Sequence, residues 1–287
     1  MKNVSIIIVT FNSTKLIRDC LQSIIDNNDI GDSLNVIVAD NASTDQKELF
    51  ELIEKEFKGA NIHYYSTGEN AGYGKGNNFG IAKTDAEIVI VMNPDVRFIS
   101  PVFKQIISEF EDKNLGMAGV DFIDGSCPYY FKPEYNTLFK SLFIHQYIKR
   151  RKYDPRTMYM SGSLLIFDRE SFINVGGFDE NIFMYYEEPD ITNRILQAGK
   201  EVKWFKELRV LHLAHGRKFN QRLADISYDS LEYYCKKYKT DVRHIYSISL
   251  LVLKLKLIVA KAIRDKGREN VFSQSINSIK KLLESKY

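Results

Sequence analysis

The feature that most constrains this chain is a strand that ends in a carboxylate. Ile88-Val89-Ile90-Val91-Met92 is a continuous apolar, largely β-branched run, and Asn93-Pro94-Asp95 follows at once. Such a run, closed by a turn signal, reads as a strand buried on both faces of a parallel sheet. Pro94 stops the ladder because it has no N–H to donate. Asp95 is thereby delivered to the carboxyl edge of the sheet, where open α/β folds bind their ligands. A carboxylate there suits a divalent cation, and a cation suits a diphosphate. The pattern points to a nucleotide-dependent enzyme.

The rest of the N-terminal sequence repeats this grammar. Val4–Thr10 is a second buried run, closed by Phe11-Asn12-Ser13, and Ser13 or Thr14 caps a helix to about Asp26. Residues 35–39 form a strand ending at Asp40-Asn41, Ser43-Thr44-Asp45 caps a second helix, and 61–66 is a third strand. Strands alternating with helical stretches predict βαβ units on a mostly parallel sheet. Residues 124–158, rich in Tyr, Phe, Lys and Arg, read as a functional loop or lid. Order resumes over 160–167, with a helix from Pro189-Asp190 to about Ala198 and short strands at 202–205 and 210–213. Residues 1–218 are expected to form the catalytic domain, and 219–287 a basic, helical C-terminal region.

Bulk properties narrow the class. With 287 residues, 44% of them hydrophobic, the chain can build one large domain plus a small appendage. A net charge of +3 does not call for nucleic acid, but it tolerates an anionic substrate or membrane surface. The three cysteines, Cys20, Cys127 and Cys235, have no CxxC spacing, which argues against a disulfide framework or a cysteine metal site. A strand begins almost at the N-terminus, so no signal peptide is expected, and no apolar stretch is long enough to span a bilayer. A cytoplasmic protein is the expectation.

Thr10 and Asn12 close the first strand, and Asp40 and Asn41 the second. In a parallel sheet these ends converge on one edge, where an Asp can accept from a base N–H or a ribose hydroxyl. The plainer reading is that Asp40 and Asn41 only form a turn and cap the next helix. The segment Gly72-Tyr73-Gly74-Lys75-Gly76 fits neither a dinucleotide fingerprint nor a P-loop. Its glycines would still let backbone N–H groups approach an anion, with Asn70, Lys75 and Asn78 alongside; otherwise it is a flexible turn before a helix. Glu187-Glu188-Pro189-Asp190 puts three carboxylates within four residues. Acids so close raise one another's pKa, which suits a general base, although an acidic helix N-terminus is also favoured by the dipole. His212 and His215 follow a strand, with Arg217 and Lys218 beyond, a set suited to metal or phosphate contact or to a solvated basic turn.

Taken in order, residues 5–12, Asp40 to Asp45, 70–80, Asn93-Pro94-Asp95, Ser161-Gly162-Ser163, Gly176-Gly177-Phe178-Asp179, 183–190 and 212–215 resemble the family 2 glycosyltransferases of bacterial surface-polysaccharide synthesis. The likeness is strongest to the rhamnosyltransferase-type enzymes of O-antigen and capsule assembly. The resemblance implies a GT-A fold, an inverting mechanism and a Mg²⁺ or Mn²⁺ ion. Thr10, Asn12 and Asp40 would then hold the nucleoside, with Asn41, Asn70, Gly72, Lys75, Asn78 and Asn93 as further donor contacts. Asp95 would be the last acid of the metal motif, His212 a further metal contact, and Glu188 the base. Gly162, Tyr186, His215 and Arg217 fall on the acceptor side. Asn93 stands where the family more often has an acid, which weakens the metal motif. Glu188 stands where it more often has Asp, so Glu187 and Asp190 stay open as the base.

The resemblance implies transfer of a sugar, rhamnose from dTDP-rhamnose first, to a polyprenyl-diphosphate-linked glycan at the inner face of the membrane. The alternatives are a UDP-hexose-dependent hexosyltransferase, a nucleotidyltransferase and a non-catalytic glycan-binding protein. The apolar, lysine-interrupted stretch 248–261 reads either as an interfacial helix on an anionic membrane or as a helix packed on protein.

Overall fold

The computed structural model describes residues 2–213 and 219–286. In chain order the elements are β1 (Val4–Thr10), α1 (Thr14–Asp26), β2 (Leu34–Asp40), α2 (Gln46–Glu56), β3 (Ile62–Ser66), α3 (Gly72–Ile81), β4 (Ile88–Met92), β5 (Val96–Phe98) and α4 (Phe103–Glu109). There follow β6 (Leu115–Phe122), β7 (Tyr129–Phe131), α5 (Leu138–Lys149), β8 (Met158–Met160), β9 (Leu164–Asp168), α6 (Arg169–Asn174), α7 (Glu187–Gln197) and β10 (Glu201–His212). The chain closes with α8 (Gln221–Tyr238), α9 (Val242–Ala262) and α10 (Lys266–Lys286).

The main sheet has the order β3-β2-β1-β4-β9-β6-β10-β5. β3, β2, β1 and β4 pair in parallel, as the alternation of the first elements requires. Register sets Thr10 beside Asp40 and Asp40 beside Ser66, so these polar residues end in one row. β9 runs antiparallel between β4 and β6, and β5 antiparallel beside β10. Alternate side chains of each strand serve opposite cores. Ile6, Ile8, Val36 and Ile90 pack with α1, α2 and α4 through Ile17, Leu21, Leu49 and Phe103. Ile7, Ile37 and Val91 pack on the other side with Phe172, Phe178 and, from α7, Ile191 and Ile195. Burial on both faces is why these strands read as unbroken apolar runs.

Three expectations need correction. The stretch 201–212 is one strand, not two; the polar residues between its apolar ends are absorbed by a register shift between Phe205 and Arg209. The excursion over 124–158 is ordered, with β7 paired to β8 and α5 between them. α7 begins at Glu187, so Glu187 and Glu188 lie in its first turn, not on a loop before it. Pro189 is tolerated there because the first N–H groups of a helix have no intrahelical acceptor.

The C-terminal helices build a third core from Leu231, Tyr234, Cys235, Ile245, Tyr246 and Ile279, with Tyr186 packed against it. Cys20, Cys127 and Cys235 are all free thiols. Among the described residues no helix is long and apolar enough to cross a membrane.

Candidate active site

At the carboxyl edge of β1 and β2, Asp40 is fully buried and ringed by donors. Thr10 Oγ1 donates to Asp40 Oδ1 at 3.0 Å, and the Ser43 N–H to Oδ2 at 3.1 Å. The Ser43 hydroxyl also donates to this carboxylate, and Tyr64 OH reaches Oδ2 at 3.4 Å. Asn12, with φ of 53°, donates its N–H to Ser43 Oγ at 2.8 Å and accepts through Oδ1 from Thr44 N–H and Oγ1, each at 2.9 Å. Asn41 Nδ2 donates to the Gly72 carbonyl at 2.9 Å. The row is thus brought together, and its first task is to fix the loops after β1 and β2 on one another.

The glycine-rich segment is helix α3, and it reads differently from a phosphate cradle. Gly72, Gly76 and Gly80 recur every four residues and so share a face. A Cβ on Gly80 would lie 2.4 Å from Ile7 Cγ2, one on Gly76 2.9 Å from Val9 Cγ1, and one on Gly72 2.0 Å from the Phe183 carbonyl oxygen. These glycines let the helix lie close on β1 and on the segment before α7. Asn70 Oδ1 accepts from Gly72 N–H at 3.3 Å, and Lys75 pairs with Glu69 at 2.9 Å in solvent. Asn78 clamps the turn at Phe178, donating to its carbonyl and accepting from its N–H, both at 2.9 Å. A pocket of about 340 Å³ touches Asn78, Gly176, Asp179, Arg194 and Lys237, and neither Asp95 nor Glu188 lines it.

Asp95 leaves β4 through Asn93-Pro94, and the Asn93 N–H donates to the Ser163 carbonyl at 2.9 Å. Across from it stands His212 at the end of β10, its Nε2 3.5 Å from Asp95 Oδ2. His212 Nδ1 lies 3.1 Å from Ser126 Oγ and Nε2 3.3 Å from Ser163 Oγ. The carboxylate is the kind of ligand that Mn²⁺ or Mg²⁺ would take, while the imidazole is a softer donor that suits Mg²⁺ poorly. Among the described residues no set of three His, Cys, Asp or Glu side chains gathers around one point. His215 and Arg217 lie outside the described residues.

The other acidic stretch faces the same loop. Glu188 Oε1 accepts from the Gly162 N–H at 3.1 Å. Tyr73 OH donates to the Gly162 carbonyl at 2.7 Å. A Cβ on Gly162 would stand 2.6 Å from Glu188 Oε1, so only glycine leaves the carboxylate in place. Burial raises the Glu188 carboxyl above the ordinary range, and backbone N–H groups of Glu188 and Gly162 partly offset it. Burial, then the Glu188 charge, push Glu187 well above that range. Glu187 Oε2 is buried with no hydrogen-bond donor among the described residues.

Asp190 is different. It is fully buried, and Arg194 donates to its Oδ2 through Nε at 2.9 Å and through Nη2 at 2.6 Å. Tyr238 OH donates to Oδ1 at 2.8 Å, and Lys237 Nζ is 2.6 Å from the same oxygen and 2.6 Å from Asp179. These partners withdraw Asp190 from the candidates for base and make it the anchor of α7 on α8. Tyr185 and Tyr186, at φ of 73° and 70°, turn the chain into the helix, and Tyr186 packs on the C-terminal core. Sequence reading missed Ser126, Tyr73, Lys237 and Tyr238; no local pattern marks them.

The structure therefore joins Asp95 and Glu188 through one tripeptide, Ser161-Gly162-Ser163: Gly162 holds Glu188, while Ser163 meets His212 and the Asn93 backbone. Residues 5–176 match the family model of glycosyl transferase family 2. Over 241 residues the chain is 24% identical to the low-salt glycan biosynthesis hexosyltransferase Agl10 of Haloferax volcanii, covering 79% of this chain and 72% of that protein. It is 27% identical over 216 residues to the N-acetylglucosaminyl-diphospho-decaprenol L-rhamnosyltransferase of Mycobacterium tuberculosis, covering 62% of this chain and 66% of the relative. Rhamnosyltransferase WbbL of Escherichia coli is 24% identical over 232 residues, covering 74% and 84%. The fold resembles that of the mannosyltransferase PcManGT from Pyrobaculum calidifontis, solved with GDP-Man and Mn²⁺, at a TM-score of 0.68 and 15% identity over 100% of this chain and 88% of that one. The family match over well over half the chain, on a GT-A-like α/β sheet with its acids at the carboxyl edge, makes this protein a glycosyltransferase of family 2.

Proposed function

We propose that the protein transfers a sugar from a nucleotide diphosphate donor to a hydroxyl of a lipid-linked glycan, with inversion at the anomeric carbon. The observation that supports this most is the tripeptide whose adjacent residues contact Glu188, through Gly162, and His212 of the Asp95–His212 pair, through Ser163. A rhamnosyl donor linked to dTDP is the first choice because several relatives are rhamnosyltransferases. A UDP-hexose is the second, favoured by the hexosyltransferase relative. The acceptor follows from the relative that acts on a diphospho-decaprenol, and it would place the work at the inner face of a membrane.

In this reading the loops after β1 and β2 hold the nucleoside through Thr10, Asn12 and Asp40, while Asp95 and His212 would hold a divalent cation on the diphosphate. Such an ion, when bound, neutralises the charge that develops on the leaving diphosphate. Glu188 accepts the proton of the acceptor hydroxyl as its oxygen bonds to the anomeric carbon. The bond from that carbon to the diphosphate oxygen breaks, and its electron pair leaves with the nucleotide. Burial suits Glu188 to this step, since a carboxylate short of solvent is readier to take a proton.

Thermal unfolding with a panel of nucleotide sugars, with and without Mn²⁺, tests the donor side, because a ligand selective for the native state stabilises it. The matching donor raises the midpoint in the wild type with Mn²⁺. In Asp95→Ala the Mn²⁺-dependent part of that rise is lost. A rise that is indifferent to both Mn²⁺ and Asp95 would remove the cation from the reading, and no rise with any donor would remove the donor site.

A further inference from the structure

The four large apolar side chains most open to solvent among the described residues are Phe139 (64%), Ile258 (64%), Ile263 (59%) and Val259 (58%). All lie on, or cap, two helices, α5 and α9, that come from distant parts of the chain and pack together. Leu142, Phe143 and Leu251 are exposed on the same pair. Within the two stretches themselves the charge has one sign, although Arg151 is paired with Glu207, and Asp241 and Asp265 flank α9. From Leu138 to Lys152 the sequence has five basic residues and no acid, and from Val242 to Arg264 it again has five and no acid. Ordinary solvated helices mix the two signs.

An anionic bilayer offers both complements at once, an apolar depth for the side chains and negative headgroups for the cations. A second copy of the chain would set two cationic faces against each other, which like-charge repulsion disfavours. Neither helix is long and apolar enough to cross a membrane, so the pair would lie on its surface. The chain next to α5 also reaches the site, since Ser126, twelve residues before Leu138, lies 3.1 Å through Oγ from His212 Nδ1.

We propose that α5 and α9 together form one docking surface for an anionic lipid bilayer, seating the site beside the headgroups. For its purpose this rests on the lipid-linked acceptor argued above. The excursion over 124–158 would then belong to the membrane contact, and not only the C-terminal region.

The test is sedimentation of the full chain with vesicles of phosphatidylcholine alone or mixed with phosphatidylglycerol. The wild type binds the mixed vesicles and not the neutral ones. Phe139→Glu with Phe143→Glu, and separately Ile258→Glu with Val259→Glu, each weaken that binding by about tenfold or more, while circular dichroism and the donor-induced rise in unfolding midpoint are retained. Loss in the α9 variant with full binding in the α5 variant overturns the composite surface. Equal binding to neutral vesicles overturns the charge complement. No vesicle binding, with self-association that the same substitutions abolish, makes the occupant a second copy. Vesicle binding without transfer to any lipid-linked acceptor keeps the surface and overturns the acceptor instead.

Discussion

Buried carboxylates stand on both sides of this site, and they are treated in opposite ways. At the ends of β1 and β2, Asp40 receives Thr10, Ser43 and Tyr64, so both its oxygens already have donors within the fold. In the first turn of α7, Glu187 has a buried oxygen with no donor among the described residues, and Glu188 is held by backbone N–H groups alone, that of Gly162 among them. Even within that turn the contrast recurs, because Asp190 takes Arg194, Lys237 and Tyr238 while Glu187 takes none of them. A satisfied buried acid stiffens a scaffold; an under-satisfied one binds a proton. The strand edge is built to keep its shape, and the start of α7 is built to accept hydrogen.

The widest separation between the two sides is expected from Glu188→Gln. Removing a general base costs about 10²–10⁴ in rate, and kcat should fall by that order while the donor-induced rise in unfolding midpoint persists. A variant with full turnover would make α7 as structural as the strand edge. Gly162→Ala comes next. Its Cβ would meet Glu188 Oε1 at 2.6 Å, and displacing a reacting group by about 1 Å costs about 10²-fold. The loss should sit in kcat, with KM for the donor little changed. An unimpaired Gly162→Ala enzyme would show that the position of Glu188 is not what the tripeptide sets.

How much of this was legible in the sequence also differs between the two sides. β1, β2 and β4 were readable because burial on both faces leaves largely apolar runs, and the polar residue that follows each run marks the edge, whereas β3 is a half-exposed edge strand. The start of α7 was read too late because Pro189 looked like the first helical residue, although a helix accepts proline anywhere among its first N–H groups. The four-residue spacing of Gly72, Gly76 and Gly80 carried the information that they pack a helix on the sheet, but their density drew attention to phosphate instead. Ser126 lies 86 residues from the His212 it meets, and Lys237 lies 58 from Asp179; nothing local announces either. Satisfied acids depend on partners elsewhere in the chain, so their role emerges only when the chain is folded.

Lys237→Ala tests the anchor of α7. Asp190 keeps Arg194 and Tyr238, so the cost should be near that of one unmet buried polar group, about 1–3 kcal/mol in urea unfolding. Lys237→Arg should restore most of it. No change in Lys237→Ala would move the hold on α7 to the apolar contacts of Tyr186 and Tyr234.

The finest cut is Glu187→Gln, for which the sign of the pH dependence matters more than the size. Burial and the Glu188 charge raise the Glu187 carboxyl in the folded chain, whereas in the unfolded chain it titrates near 4.3. Stability owed to the proton on this group is therefore complete below about 4.3 and declines as pH climbs toward the folded value. Glutamine has no proton to lose. The unfolding midpoint of Glu187→Gln should match the wild type in acid and exceed it toward neutral and alkaline pH by roughly 2–4 °C, the shift that about 1 kcal/mol gives in a chain of this size. A gap that stays constant across pH would mean that Glu187 finds its missing donor in solution, and the two sides of the site would then be built alike.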